Sequence, residues 1–498
     1  MLKHDVAGVT ELRELLVRHG YLGPEAAALL GDPPAAGAPR HADLPLYLRR
    51  LAAAPGPLAT LLRLFALLVP VPLEEARAAL APLTPGALQE MGLLALEGGE
   101  VRPLQGIAAF EDLLVASDVM TAAGPDGVDH VLGVNPPTVS LAQLTPRRRV
   151  GTALDMGCGS GVQAFLLARH AGHVTGVDKN PRALAAARFN ARVNGVRNVE
   201  FREGDFFAPV AGRRFDLVVS NPPYVISPDS AFTFRDGGRG GDGVSAEVAA
   251  GAAAHLAPGG VAVMLCNWAV GAGEPFDAGP RRWLAGSGCD ALLLCRGLTR
   301  PLDYAAAWTR STDREAYAAA LERWSADHAR RGIAAIGQGV LAIRRPAAGE
   351  GPAGAGGEAA RFQAEEYVEA PRPGAGDHLA RMLEAMPAVD PAAGDDAFLA
   401  GRWRLDPACR LLQRSALEAG ELHVENVILS LEGGLGFHGA LDPAGLELLR
   451  TCDEGRTLGD VVSHVTSRSG SPDRAQLLAA LRRYASLGFL LPAAPRDG

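Results

Sequence analysis

The sequence predicts an α/β protein. A parallel sheet wound with helices on both faces spans residues 104–346, between a helical N-terminal domain at 1–103 and an α+β C-terminal domain at 361–498. Three observations carry this. Short apolar runs rich in β-branched residues alternate with helix-period segments through the middle of the chain. A glycine-rich loop follows the first of those strands and opens a helix. A low-complexity stretch from Arg344 to Phe362, RRPAAGEGPAGAGGEAARF, separates the last run from the C-terminal residues, and a linker is placed at 347–360.

In the N-terminal domain Thr10 is placed as the cap of a helix over Glu11–Arg18. Helices follow at Leu58–Leu68, at Leu73–Leu80 behind Pro72, and after Thr84-Pro85 as far as Gly92. LLALEGGEVRPL reads as a hairpin about Gly98-Gly99. Short helices followed by a hairpin have the outline of a winged helix, which can dock on nucleic acid. Residues 1–103 hold nine Lys+Arg and eleven Asp+Glu, a net charge of −2 (9 − 11). Phosphate binding needs positive charge, so a packing or protein-binding module is favoured.

Central strands are expected at Val150–Asp155, His173–Asp178, Val199–Glu203, Phe215–Ser220 and Gly260–Cys266, with helices at Val162–His170, Pro181–Asn194 and Ser245–Leu256. Ala291–Cys295 and Gly339–Arg344 would finish the sheet, and the insertion between them carries a helix over Asp313–Arg330. After the linker, strands at Leu411–Ala416 and Leu422–Leu431 precede helices at Pro443–Cys452, Leu458–Thr466 and Arg474–Ser486. Gly488 would cap the last helix, and Phe489–Leu491 would close a second winged-helix-like unit.

The chain has 498 residues, of which 48% are hydrophobic and 21% charged, and its net charge is −8. This argues against a generally basic nucleic-acid coat. The six cysteines show no C-x-x-C spacing and the twelve histidines no H-E-x-x-H, so neither a disulfide framework nor a metal site is expected. The N-terminus lacks an apolar signal core, and the most apolar run, Leu61–Leu73, is broken by Arg63, Pro70 and Pro72. A bilayer span takes about 20 continuous apolar residues. A cytoplasmic protein without membrane contact is the expectation.

The chemistry concentrates at strand ends. ALDMGCGSG, Ala153–Gly161, ends a strand in Asp155 and then turns through Gly157, Gly159 and Gly161. The third glycine comes one residue earlier than in the dinucleotide fingerprint, and Asp155 is a poor neighbour for a pyrophosphate. A carboxylate there suits a ligand with an amino group and a sulfonium. Asp178 ends the second strand 17 residues after Gly161 and could accept from ribose hydroxyls. Asp205 follows the third strand and could accept from an adenine amino group, with Phe206 or Phe207 over the ring. Each aspartate alone reads more readily as a solvated loop residue. Three at successive strand ends do not.

The fourth strand runs into Asn221-Pro222-Pro223-Tyr224. An exocyclic amine or amide nitrogen delocalises its lone pair and is a poor nucleophile. The Asn221 side-chain oxygen and the Pro222 carbonyl can each accept one N–H and favour rehybridisation as attack begins. The prolines fix the backbone, and Tyr224 can stack on a flat target. Arg235 and Arg239 stand near this turn and could serve a nucleic acid, or be solvated loop charges.

D-x-G-x-G-x-G together with N-P-P-Y resembles the motifs of class I S-adenosylmethionine-dependent methyltransferases, in particular the release-factor glutamine and rRNA guanine-N2 methyltransferase group. The resemblance covers residues 104–346 and implies a Rossmann-like sheet. It implies S-adenosylmethionine as cofactor, bound by Asp155, Gly157, Gly159, Gly161, Asp178, Asp205 and Phe206, with Asn221, Pro222 and Tyr224 catalytic. Leu132–Thr138 occupies the place of a cofactor-covering segment, which adds Asn135 and Thr138, and Gly237–Gly243 resembles a loop of the glutamine enzymes. The implied function is N-methylation of a planar amide or exocyclic amine on a macromolecule: a translation factor or ribosomal protein, or RNA or DNA. A small-molecule or peptide N-methyltransferase and a non-catalytic S-adenosylmethionine-binding regulator stay open, as does the oligomeric state.

Overall fold

The computed structural model describes residues 1–31, 43–118, 129–229, 235, 240–309, 313–347, 361–367, 369–418, 421–452, 455–467 and 473–493. The N-terminal part comprises α1 (Val9–Arg18), α2 (Pro24–Leu30), α3 (Leu44–Ala53), α4 (Pro57–Phe65), β1 (Val71–Pro72), α5 (Leu73–Leu80), α6 (Pro85–Glu90), β2 (Leu94–Glu97), β3 (Glu100–Pro103), β4 (Gly106–Phe110) and β5 (Leu113–Ser117). The hairpin about Gly98-Gly99 forms as expected and gains β1 as a third strand. Thr84 caps α6 by accepting from Ala87 N. Thr10 does not cap α1: the helix begins at Val9, and Gly8 holds the cap position in a left-handed conformation that needs no side chain.

The central part continues with α7 (Pro136–Leu144), β6 (Val150–Met156), α8 (Val162–Ala168), β7 (Ala171–Asp178), α9 (Pro181–Val193), β8 (Val199–Glu203), β9 (Phe215–Ser220), α10 (Gly243–His255), β10 (Leu256–Gly271), α11 (Ala278–Trp283), β11 (Asp290–Thr299), α12 (Pro301–Trp308), α13 (Arg314–Arg330) and β12 (Ile333–Arg344). The remainder is β13 (Phe362–Glu366), α14 (Ala375–Val389), α15 (Asp395–Ala400), β14 (Trp403–Leu405), β15 (Cys409–Glu418), β16 (Glu421–Leu431), β17 (His438–Ala440), α16 (Pro443–Thr451), α17 (Leu458–Thr466), α18 (Arg474–Ser486) and β18 (Leu490–Pro492).

One eight-stranded sheet organises the molecule, in the order β13-β11-β12-β10-β9-β6-β7-β8. Pairing is parallel except where β12 runs antiparallel between β10 and β11. Helices cover both faces, which is why Leu217–Ser220 and Val261–Cys266 are buried without alternation. Strand order reverses at β6, whose neighbours are β7 and β9. In such sheets ligands bind in the crevice beyond the strand ends at that point.

Two expected boundaries do not hold as breaks in the fold. The core of the N-terminal part continues across residue 104: Ile107, Leu114 and Ala116 join it, and so do Ala183, Ala186, Phe189 and Val193 of α9. Arg13 Nη1 donates to Asn194 Oδ1 at 2.7 Å across the same junction. Nor is 361–498 a separate unit. β13 pairs with β11 from Ala291↔Phe362 to Cys295↔Glu366, and α14 buries Leu379, Met382, Leu383 and Met386 against the sheet. A sheet edge buried under a helix needs a partner for its backbone, and β13 supplies it. The rest of the C-terminal part has its own core of α15–α18 with the β14–β18 pair, and Gly488 adopts φ 76 beyond α18 as expected. Most of the expected linker, 348–360, lies outside the described residues. Among the described residues no helix is long and apolar enough to cross a membrane.

Candidate active site

The glycine loop and the proline turn leave the sheet side by side. β6 and β9 pair in parallel with Asp155 opposite Val219 and Met156 opposite Ser220. Ser220 Oγ donates to Met156 O at 2.9 Å, locking the two ends together. A cavity of ≈ 370 Å³ opens beyond them, within the range of small-molecule sites. Its walls include Asn135, Thr138, Asp155, Gly157, Gly159, Asp178, Asp205, Phe206, Asn221, Pro222 and Tyr224. Asn221 O lies 4.0 Å from where a Cβ on Gly157 would stand, so the two motifs nearly touch.

The loop is held from behind. Gly157 N and Cys158 N donate to Val177 O at 2.8 and 2.9 Å, and Gly159 N donates to Asp178 Oδ2 at 2.8 Å. Asp178 Oδ1 accepts from Asn180 N at 2.9 Å, so each of its oxygens is aimed by the backbone and keeps lone pairs for a ligand. A Cβ on Gly159 would meet nothing within 4 Å, so its left-handed φ of 52, and not packing, favours glycine there. Gly161 is different. It stands outside the cavity wall as the α8 cap, at φ 91, where a Cβ would come within 2.5 Å of the Phe165 ring. Packing against Phe165 already requires this glycine, while its neighbours Ser160 and Val162 line the cavity.

Phe206 lines the cavity, at the unusual φ of 44, whereas Phe207 is buried in the core and stacks on His255 at 4.8 Å. Of the two candidate ring covers only Phe206 is placed for the task. Asp205 sits in the turn beyond β8 and is exposed at the rim. Asn135 caps α7, accepting from Thr138 N at 2.9 Å and Thr138 Oγ1 at 2.8 Å. Gln163 Nε2 donates to Thr138 O and Ser160 Oγ to Leu132 O, which ties the covering segment to the glycine loop and α8. Arg235 lines the cavity; Arg239 and Gly237 lie outside the described residues, and of the expected Gly237–Gly243 loop only 240–243 are described.

Burial and the neighbouring Asp178 push the Asp155 carboxyl up to about 7, although Ala164 N donates to its Oδ2 at 2.9 Å. Such a raised pKa makes the ionised form costly in the folded protein: stability falls as pH rises from the ordinary carboxylate range through about 7. A bound cation relieves that cost. Affinity for a cationic ligand therefore rises between about pH 5 and 7, with proton release on binding, below the range where an α-amino group titrates. Calorimetry in two buffers of different ionisation enthalpy checks this. Asp155→Asn should flatten the profile, and a flat wild-type profile would contradict the role of Asp155.

Sequence reasoning missed several lining residues, among them His130, Gln163 and Trp308. Trp308 comes from α12, an unexpected helix in the insertion between β11 and β12. The insertion is pinned beside the proline turn: Tyr304 Oη accepts from Ile226 N at 3.1 Å, and Trp324 Nε1 donates to Asp229 Oδ2 at 3.0 Å.

Residues 125–275 match the family model described as Methyltransferase small domain, the segment that holds both motifs. This segment of the chain is therefore similar to methyltransferase domains. Residues 18–104 match a Domain of unknown function (DUF7059). The release factor glutamine methyltransferase of Xylella fastidiosa (strain Temecula1 / ATCC 700964) is 42% identical over 162 residues, covering 27% of this chain and 59% of that protein. The ribosomal protein L11 methyltransferase of Dechloromonas aromatica (strain RCB) is 47% identical over 111 residues, or 21% of this chain and 36% of that one. The arsenite methyltransferase of Halobacterium salinarum (strain ATCC 700922 / JCM 11081 / NRC-1) is 38% identical over 125 residues, or 24% and 30%. The chain thus spans little more than half the length, or less, of these curated relatives. The acceptors named for these three relatives differ, and all three are named as methyltransferases.

S-adenosylmethionine fits the residues around the glycine loop. The cavity offers a bare glycine loop and the carboxylates of Asp155, Asp178 and Asp205 to a ligand with a cationic head, ribose hydroxyls and an amino-bearing ring. Asp178→Ala should weaken its binding about tenfold or more, as for a lost charged hydrogen bond. Isothermal titration checks this; unchanged affinity would remove Asp178 from the ribose role.

Proposed function

We propose that the protein is an S-adenosylmethionine-dependent N-methyltransferase acting on a planar amide or exocyclic amine nitrogen of a macromolecule, a protein glutamine or a nucleobase. One observation carries the reading: the glycine loop and the Asn221–Tyr224 turn leave strands paired in register and line the same cavity. When bound, the cofactor supplies an electrophilic methyl group. The chain's residues supply position. Asn221 Oδ1 and Pro222 O accept the two N–H groups of the acceptor nitrogen, and Tyr224 backs its flat group. Burial pushes the Tyr224 phenol up to about 12, so it acts as a neutral wall. No strong base is needed, because the alkylated nitrogen loses its proton after transfer.

Six free cysteines, five of them buried, suit a reducing cytoplasm. The test is transfer of tritiated methyl into fractionated cell extract, with RNase and protease controls. Label in a macromolecular fraction supports the reading. Label only in small molecules would move the acceptor to that class, and saturable cofactor binding without any transfer would identify a regulator instead.

A further inference from the structure

We infer that Trp308 is a specificity-determining residue of the acceptor pocket and selects a flat nucleobase presented by single-stranded nucleic acid. This rests on the methyl-transfer reading above. Strands β11 and β12 pair side by side, so a short turn would join them. Instead the chain leaves the sheet through α12 and α13 and brings an indole to the cavity wall. Tyr304 and Trp308 share one face of α12, four residues apart, with ring centroids 6.2 Å apart. Tyr304 is fully buried and accepts from both Ile226 N and Asn267 Nδ2, at 3.1 and 2.8 Å. The helix carrying the half-buried indole is thus anchored both to the irregular segment after the proline turn and to β10.

The two ends of the cavity differ in chemistry. Its lining carboxylates, Asp155, Asp178 and Asp205, belong to the donor end. The acceptor end presents Tyr224, Trp308 and Arg235. Two aromatic side chains and positive charge suit a flat ring on an anionic backbone. A glutamine side chain has no ring face to stack and no charge to meet Arg235.

The test uses the full chain as wild type, Trp308→Ala and Trp308→Phe. Affinity for S-adenosylmethionine, measured by calorimetry, should agree within about twofold across the three, which also shows that the variants are folded. Tritiated methyl transfer is then followed to two probes, a single-stranded oligoribonucleotide containing all four bases and a glutamine-containing peptide. The expected result is label in the oligonucleotide only. Its KM should rise about tenfold or more in Trp308→Ala, with a smaller change in kcat, and return most of the way in Trp308→Phe. Label in the peptide alone, label in neither probe while cofactor binds, or an unchanged KM in Trp308→Ala would overturn the inference and leave the donor site standing. Failure of the wild type to bind cofactor would overturn the methyltransferase reading and this inference with it.

Discussion

Replacing Asn221 with alanine is expected to reduce turnover by about 10²-fold or more while leaving affinity for S-adenosylmethionine nearly intact. The reason is differential binding. A planar NH₂ is held by Asn221 Oδ1 and Pro222 O most strongly as nitrogen pyramidalises, so losing one acceptor raises the barrier rather than the ground-state affinity. The donor half is built from other elements: Asp155 on β6, Asp178 on β7 and the glycine loop between them. Asn221 follows β9 and shares none of their hydrogen bonds. Single-turnover kinetics beside calorimetry separates the two quantities. Unchanged turnover would refute the role of this side chain, and a matching loss of cofactor affinity would move Asn221 to the donor site.

The second large effect is structural. A chain ending at residue 347 should lose its cooperative fold. It would lack β13 on the β11 edge and α14 on one face of the sheet. Leu379, Met382, Leu383 and Met386 bury against Val261, Val263, Leu292, Leu294 and Val340. At about 1.5–3 kcal/mol for each buried side chain, the loss is about 6–12 kcal/mol, comparable to the whole stability of a domain. Charge pairing suffers too. Asp290, with its side chain 2% exposed, meets Arg361 at 3.2 Å and Arg344 at 3.8 Å, and Arg361 also holds Asp390 at 3.0 Å. Without Arg361 a buried carboxylate keeps only the longer pair. Near-UV circular dichroism and a thermal melt of the truncated chain should show no sharp transition. A soluble fragment melting as the full chain does would show the C-terminal residues to be dispensable, as the linker composition suggests.

That contrast shows what could be read from sequence. Asp155, Gly157, Gly159, Asp178 and Asn221 were legible because each stands within a few residues of a strand end whose apolar run is unmistakable, and a parallel sheet brings such ends to one rim. The place of β13 was not. FQAEE is short and half polar, and it becomes a strand only by pairing with β11 across the linker. α14 follows it, with apolar positions that recur at helical spacing but no motif to mark the helix as part of the central sheet's cover. Gly161 belongs to the motif by spacing, yet its conformation answers to the Phe165 ring, a packing relation that spacing does not express. Trp308 carried no motif at all. Only the anchoring of α12 through Tyr304 brings it to the cavity.

In the proposed reaction Asn221, Pro222 and Tyr224 hold a flat nitrogen at the acceptor end of this cavity, facing the methyl donor. Tandem mass spectrometry of the product made by the wild-type chain, with the transferred methyl group isotopically labelled, tests it most directly. The account predicts the label on an amide or exocyclic amine nitrogen. Label on carbon, oxygen or sulfur of the acceptor would contradict it.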